Sequence, residues 1–436
     1  MSALDRYFRI QQNGSSVQRE ILAGLTTFTT MAYIVVVNPA ILKTAGIPAG
    51  PSMTATVLAA FTGCLLMGLY ANRPFAIAPY MGENAFIAFT VCLGLGIPWQ
   101  TALGAIFLAG VAFLILTVLR VRQNLVEAIP TSLRYSFAVG IGLFLTFIGL
   151  NTTGIVALGV AGAPLKAGAL TSAPVLVAIF GFLLIAALVL RKVPGAILLG
   201  IVITALAAFA TKVAPWPSSF FGRPESIAPI FAHIDVRGAL SPKALPVALT
   251  IFIMAFVDTM GTLIGLSARA GFLDANGNLP QIERPMMVDA IATTLSPILG
   301  TTTSGAFVES ATGVEAGGRT GLTAVVVALC FVLSAFTAPF VAAIPPQAYG
   351  PALIIVGLFM LAPITRIDFS DYGESLPAFG VVALMCFTGN IGVGITAGFL
   401  LYPFCKIVQG QARQIRAGLW VLAALSALFF VFYPYK

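Results

Sequence analysis

Five acids stand inside strongly apolar stretches of this chain: Glu83, Asp258, Asp289, Glu309 and Glu315. A carboxylate in such surroundings is costly to keep and marks function by default. Glu83 sits beside Asn84 in APYMGENAFIAF. Asp258 lies mid-run in IMAFVDTMGTLIG, with no positive charge near it in sequence. Burial without a counter-charge disfavours the ionised form of a carboxylate, so Asp258 is a candidate to exchange protons. The alternative is a structural Asp hydrogen-bonded to Thr259 or Thr262. Glu309, in GTTTSGAFVESATGVEAGG, is either a ligand-binding acid or a helix cap. Glu315 precedes Arg319 by one helical turn and reads as an ion pair at a helix end. Asp289, one turn into its apolar run, also reads as structural.

Tyr33, Tyr80, Phe86, Phe256 and Phe307 lie close to these groups in sequence. Flat rings beside a few hydrogen-bonding groups suit a planar heterocycle. With 33 Phe in the chain, any one of them equally suits core or lipid packing. The only histidine, His233, falls in a polar connection, which excludes a multi-histidine metal site within the chain. The five cysteines lie in apolar runs without metal-ligand spacing and read as small packing residues. With no phosphate loop and no nucleophile–base pair, neither enzymatic activity nor a cofactor is expected.

The elements that must position these residues are membrane helices. Of 436 residues, 59% are hydrophobic and 9% charged, with a mean hydropathy of +1.00; a soluble domain carries about a quarter charged residues. Apolar runs near the length needed to cross a bilayer fall at 19–42, 51–70, 75–94, 98–121, 134–151, 172–190 and 194–213. A polar connection, 214–244, separates them from runs at 245–268, 285–300, 302–317, 320–343, 348–365, 374–389 and 391–408. The last segment, 409–436, holds one more apolar run at 414–434 that reads as an appendage. The first 18 residues are polar, with no cleavable signal peptide visible. The net charge of +8 is spread singly or in pairs between the runs, which argues against nucleic acid. Arg6, Arg9 and Arg19 put the N-terminus in the cytoplasm by the positive-inside rule. Alternating from there, Arg73, Arg120, Arg122, Arg134 and Arg319 fall on the same side, and Lys43 and Lys166 are exceptions. The expectation is a multi-pass protein of the cell's inner or plasma membrane.

The two halves echo each other. LTTFTTMAYIVVVNP in the first run resembles LTIFIMAFVDTMGTL in the eighth, aligning Met31-Ala32-Tyr33 with Met254-Ala255-Phe256. Repeats of seven spans, an odd number, must be inverted in the membrane, and inverted repeats are a transporter signature with the site near the midplane at discontinuous helices. The third and tenth runs are the broken ones, interrupted at Pro79, Gly82 and Gly305. They are expected to be half-helices whose starts face each other. Broken backbone at membrane depth is tolerated only where protein or a cavity covers it.

TTFTTMAYIVVVNP, APYMGENAFIAF, DTMGTLIG, AGFLDANGNLP and VESATGVEAGGRTGLTAVVV occur in this order. Over nearly the whole chain, Arg9 to about Lys406, this resembles the purine-permease, AzgA-like branch of the nucleobase–cation symporter 2 family. The resemblance implies two inverted seven-helix repeats, 19–213 and 245–408. A core domain would comprise spans one to four and eight to eleven, and a gate domain spans five to seven and twelve to fourteen. It implies proton-coupled uptake of a purine base (hypoxanthine, guanine, adenine or xanthine) by an elevator-like movement, and it allows a homodimer through the gate. Asp258 and Glu309 match the family's acids that hold ring nitrogens, and are the proton-coupling candidates. Asn84 and Phe86 match its third-span binding residues, and Ala32, Tyr80, Glu83 and Phe307 complete the expected site. The family usually reads A-P-G-M-G-L-N-A in the third span, so Tyr80 replaces glycine and Glu83 replaces leucine. Before the tenth-span acid, the usual Thr-Ser-Tyr is Gly305-Ala306-Phe307. A carrier of another small polar heterocycle, a ureide or an organic cation remains the alternative reading. A channel, which would need a continuous polar stripe, fits less well. Glu83 itself reads as a ligand group, as an acid paired with a core-facing Thr, or as one leaning into the core–gate seam.

Overall fold

The computed structural model describes residues 3–119, 129–160, 163–273 and 279–432. Arg120, Arg122 and part of the AGFLDANGNLP motif lie outside these residues. The described chain is helical apart from four short strands, and the protein is a multi-pass membrane protein. Among the described residues, nine helices are long and apolar enough to cross a bilayer, and four shorter apolar ones accompany them. The outer surface is apolar: Leu190 is 82% and Phe387 83% exposed. A contiguous surface of that kind needs lipid.

The elements follow the apolar runs closely. Val17–Met31 and Ile34–Thr44 form the first span, broken at Ala32 and Tyr33. Ala49–Leu66 continues as a wider turn through Ala71. Trp99–Val118, Thr131–Thr152, Ala173–Leu190 and Ala196–Ala210 complete the first half. Leu245–Ala270, Glu283–Leu299, Gly321–Ser334, Pro346–Met360, Tyr372–Thr388 and Ile391–Val408 form the second. Thr131–Thr152 starts three residues earlier than its expected run because Pro130, with its fixed φ, stands directly before it.

Two sets of helices pack mostly among themselves. In one, Glu283–Leu299 lies against Trp99–Val118 and Ala49–Leu66, and Gly321–Ser334 against Val17–Met31 and Ala49–Leu66. In the other, Thr131–Thr152 lies against Pro346–Met360 and Tyr372–Thr388, and Ala173–Leu190 against Ala196–Ala210. The closest approach in this second set is a glycine seam. A β-carbon on Gly142 would stand 2.6 Å from the Gly357 carbonyl oxygen, and one on Gly149 2.7 Å from that of Gly350. Small residues bring helix backbones together where lipid supplies no hydrophobic drive. The appended run forms Ala417–Phe432 and packs on Ile391–Val408.

Glu20 stands at the edge of its span in sequence, yet it is fully buried. Its carboxylate accepts from the Arg319 and Thr320 amides at 3.0 and 3.2 Å and from the Thr323 hydroxyl at 2.6 Å. It therefore caps Gly321–Ser334 from another helix, satisfying amides that an isolated helix start leaves unpaired. Strands β1 (Ile77–Pro79), β2 (Val156–Val160), β3 (Ala163–Ala167) and β4 (Ser304–Ala306) form two small antiparallel pairs. β2 and β3 make a hairpin between spans. β1 and β4 build the centre.

Candidate functional site

The third and tenth runs cross as paired strands. Ile77 lies opposite Ala306, Ala78 opposite Gly305 and Pro79 opposite Ser304. The ladder is extended by Tyr80 N–H donating to the Thr303 carbonyl and Phe307 N–H to that of Ala76, both at 2.9 Å. Pro79 fixes its own φ and holds Ala78 in extended backbone, so no helix can run through. Pairing satisfies the backbone that this break frees, as an apolar medium requires. Side chains complete the task on the far edge: Ala76 N–H donates to Ser310 Oγ at 2.9 Å and Ile77 N–H to Cys64 Sγ at 3.1 Å. After β1 the chain turns into Met81–Ala85, continued as a wider helix over Phe86–Gly94. After β4 it turns into Ser310–Glu315.

Glu309 precedes Ser310–Glu315, but its side chain makes no capping bond. Its Oε1 instead accepts from the Tyr33 hydroxyl at 2.6 Å. The break at Ala32 and Tyr33 positions that hydroxyl. Thr30 and Thr312 hydroxyls, 3.0 Å apart, tie the same two segments together. Asp258, half-buried in Leu245–Ala270, is not held by its neighbour. The Thr259 hydroxyl donates to Asp289 Oδ2 at 2.6 Å.

Asp289 is the residue that sequence reasoning underrated. It takes the Thr259 hydroxyl, the Ala306 amide at 3.1 Å, and the Tyr80 hydroxyl at 3.3 Å. It is structural, as expected, but what it holds is the crossing itself: β4, the Asp258 helix and Tyr80. Its only signal in sequence was an acid at depth in MMVDAIATT. Asn38 was likewise missed. Its Nδ2 donates to Thr56 and Thr301 hydroxyls at 2.7 and 2.9 Å, behind the strands.

The structure brings Tyr80 into electrostatic reach of Asp289, Asp258 and Glu83, and Glu83 into reach of Asp258. Glu83 is fully buried, and neither of its carboxyl oxygens has a hydrogen-bond partner among the described residues. Asn84 is equally buried; its Oδ1 accepts from the Thr302 hydroxyl, while its Nδ2 has no partner among the described residues. The Tyr80 and Phe307 rings are parallel within 7°, with centroids 6.4 Å apart. Phe86 is buried among core side chains, and Phe256 packs on Phe252 and Phe113. Ala32 is the cap of the first helix. Glu309 follows β4 by three residues and pairs with Tyr33. A cavity of about 470 Å³ bounded by Ser132, Arg134, Glu374, Tyr402 and Arg416 is separate from these residues. Its acid, Glu374, is already taken by Lys406, Ser132 and Tyr402.

Such a site, with buried acids and unpartnered polar atoms at a helix break, can hold a small polar solute, and it offers no nucleophile. Over residues 18–401 the chain matches the model of the Permease family. The chain belongs to that family. It is a transporter and not an enzyme. This permease is 39% identical to the adenine permease AdeQ of Escherichia coli (strain K12), over 98% of this chain and 95% of that one. It is 41% identical to the guanine/hypoxanthine permease PbuO of Bacillus subtilis (strain 168), over 97% and 99%. The resemblance to the AzgA-like purine permeases read from the motifs is thereby borne out. In fold, the permease is similar to the transmembrane domain of a cyanobacterium bicarbonate transporter, BicA, with a TM-score of 0.63 and 16% identity over 87% of this chain and 97% of that one. It is also similar to SLC26A9, with a TM-score of 0.64 and 11% identity over 90% and 66%.

Proposed function

We propose that this permease takes up a purine nucleobase together with protons, binding it where β1 and β4 cross. The observation that carries the reading is the convergence of Glu83, Asp258 and Tyr80 on that crossing, in a chain related over its full length to adenine and guanine/hypoxanthine permeases. Asp258 and Glu309 accept ring N–H groups of the base. Asn84, Phe86, Phe307, Tyr80 and Ala32 line the same place, and the parallel Tyr80 and Phe307 rings suit a flat ligand. Asp258 and Glu309 also carry the coupled proton.

The transport movement is of the elevator type, and the two repeats, 19–213 and 245–408, are inverted. The antiparallel pairing of equivalent breaks in the third and tenth spans supports that symmetry. The helix set around the strands is the moving core, and the set with the glycine seam is the gate, through which a homodimer forms. The N-terminus is cytoplasmic, a reading that the arginine distribution supports, and the membrane is the cell's inner or plasma membrane.

Counterflow of radiolabelled bases in proteoliposomes tests this reading. Accumulation of a labelled purine against an internal pool of the same base is expected. Absence of counterflow for every purine base overturns it.

A further inference from the structure

Glu83 is the acid that the purine-permease pattern does not call for, since leucine is usual there. Its carboxyl is 0% exposed, and both oxygens lack a partner among the described residues. Burying such a group without hydrogen bonds is strongly unfavourable, and leucine would avoid the penalty entirely. Its neighbour repeats the theme: Asn84 keeps Oδ1 on Thr302 but leaves Nδ2 unpartnered. The nearest polar groups are already committed or are themselves acids. The Tyr80 hydroxyl is held by Asp289, and Asp258 lies within electrostatic reach. Among the described residues no side chain answers the Glu83 oxygens.

We propose that Glu83 is a specificity-determining residue that selects purine bases bearing an exocyclic amino group over purine bases that lack one. The proposal rests on the purine reading above and narrows it. With leucine at this position, Asp258 and Glu309 would be satisfied by ring N–H groups alone. A further acid adds acceptor oxygens, and the ligand must supply more donors. Guanine carries more N–H groups than adenine, and adenine more than hypoxanthine. A base without such a donor would leave a buried carboxyl oxygen unanswered, the situation in which polar sites reject analogues most strongly. The free Asn84 Nδ2 beside it suits the ring nitrogen that flanks an amino group.

The test is competition by adenine, guanine and hypoxanthine in proteoliposomes of the wild type, Glu83→Leu and Glu83→Gln. The wild type is expected to favour adenine and guanine over hypoxanthine by at least about tenfold. Glu83→Leu is expected to lose about tenfold or more in affinity for the amino-bearing bases while hypoxanthine binds more tightly, so the preference collapses. A merely structural role would weaken all three alike. Glu83→Gln keeps the shape, and a fall of at least about fivefold in the preference is expected of it; it decides the matter where the leucine variant fails to fold. An unchanged preference in a folded variant, an equal loss for all bases, or a wild type favouring hypoxanthine overturns the proposal while the purine reading stands. A wild type that recognises no purine overturns both.

Discussion

The ring of Tyr80 occupies the space that any side chain at position 305 would need. A β-carbon on Gly305 would stand 2.1 Å from Tyr80 Oη and 2.4 Å from Cζ. The pattern this chain resembles has glycine at the first position and threonine at the second, so the two departures are one exchange of volume across the crossing. The exchange also delivers a hydroxyl within 3.4 Å of Thr259 and 3.3 Å of Asp289.

Gly305→Ala should therefore lower both stability and uptake, by about 1–3 kcal/mol of overpacking. The double variant Tyr80→Gly with Gly305→Thr should recover most of that loss. Thermal melting and counterflow on the single and double variants check it. Additive losses would mean that the two positions do not share this space.

Tyr33→Phe removes the donor that holds Glu309 and leaves an acid oxygen without its partner. A hydrogen bond to a charged group contributes about 1.5–3 kcal/mol. The apparent affinity for the transported base should fall by about tenfold or more, while membrane levels stay normal. Uptake kinetics at varied base concentration read this out, and an unchanged affinity would detach Tyr33 from the site.

Asp289→Ala should destabilise the protein by about 2–4 kcal/mol, because the Thr259 hydroxyl and the Ala306 amide both lose a buried acceptor. The melting temperature in detergent measures this. Asp289→Asn keeps an oxygen for the Ala306 amide and should lose distinctly less.

Lys406→Met should also lower the melting temperature. Lys406 is 4% exposed and pairs at 2.8 Å with Glu374, itself 24% exposed, and removing one member of such a half-buried pair costs about 1–3 kcal/mol. Adding Glu374→Gln should recover part of the loss, since only the more exposed Asp371, 3.6 Å from the lysine nitrogen, then loses its cation.

The spans were legible because each is an apolar run closed by proline, glycine or arginine, and Ala173–Leu190 was foreseen to within a residue. The breaks in the third and tenth runs were legible from Pro79 and the glycines. Their pairing as strands was not, since three residues are too few to show an alternation. The break at Ala32 and Tyr33 carries neither proline nor glycine, and only the contact with Glu309, 276 residues away, shows what it does. Asp258 and Glu83 announced themselves as acids at depth. The roles of Asp289 and Glu20 did not, because their partners lie on other helices and leave no local pattern. For the same reason, sequence alone left open whether Asp258 was bonded to Thr259, whose hydroxyl goes to Asp289 instead.

Saturable binding of radiolabelled purine bases to the purified protein, with Asp258→Asn and Glu309→Gln in parallel, tests the central claim most directly. The account predicts saturable binding to the wild type, and its loss in both variants at unchanged melting temperature. Undiminished binding in both variants would contradict it.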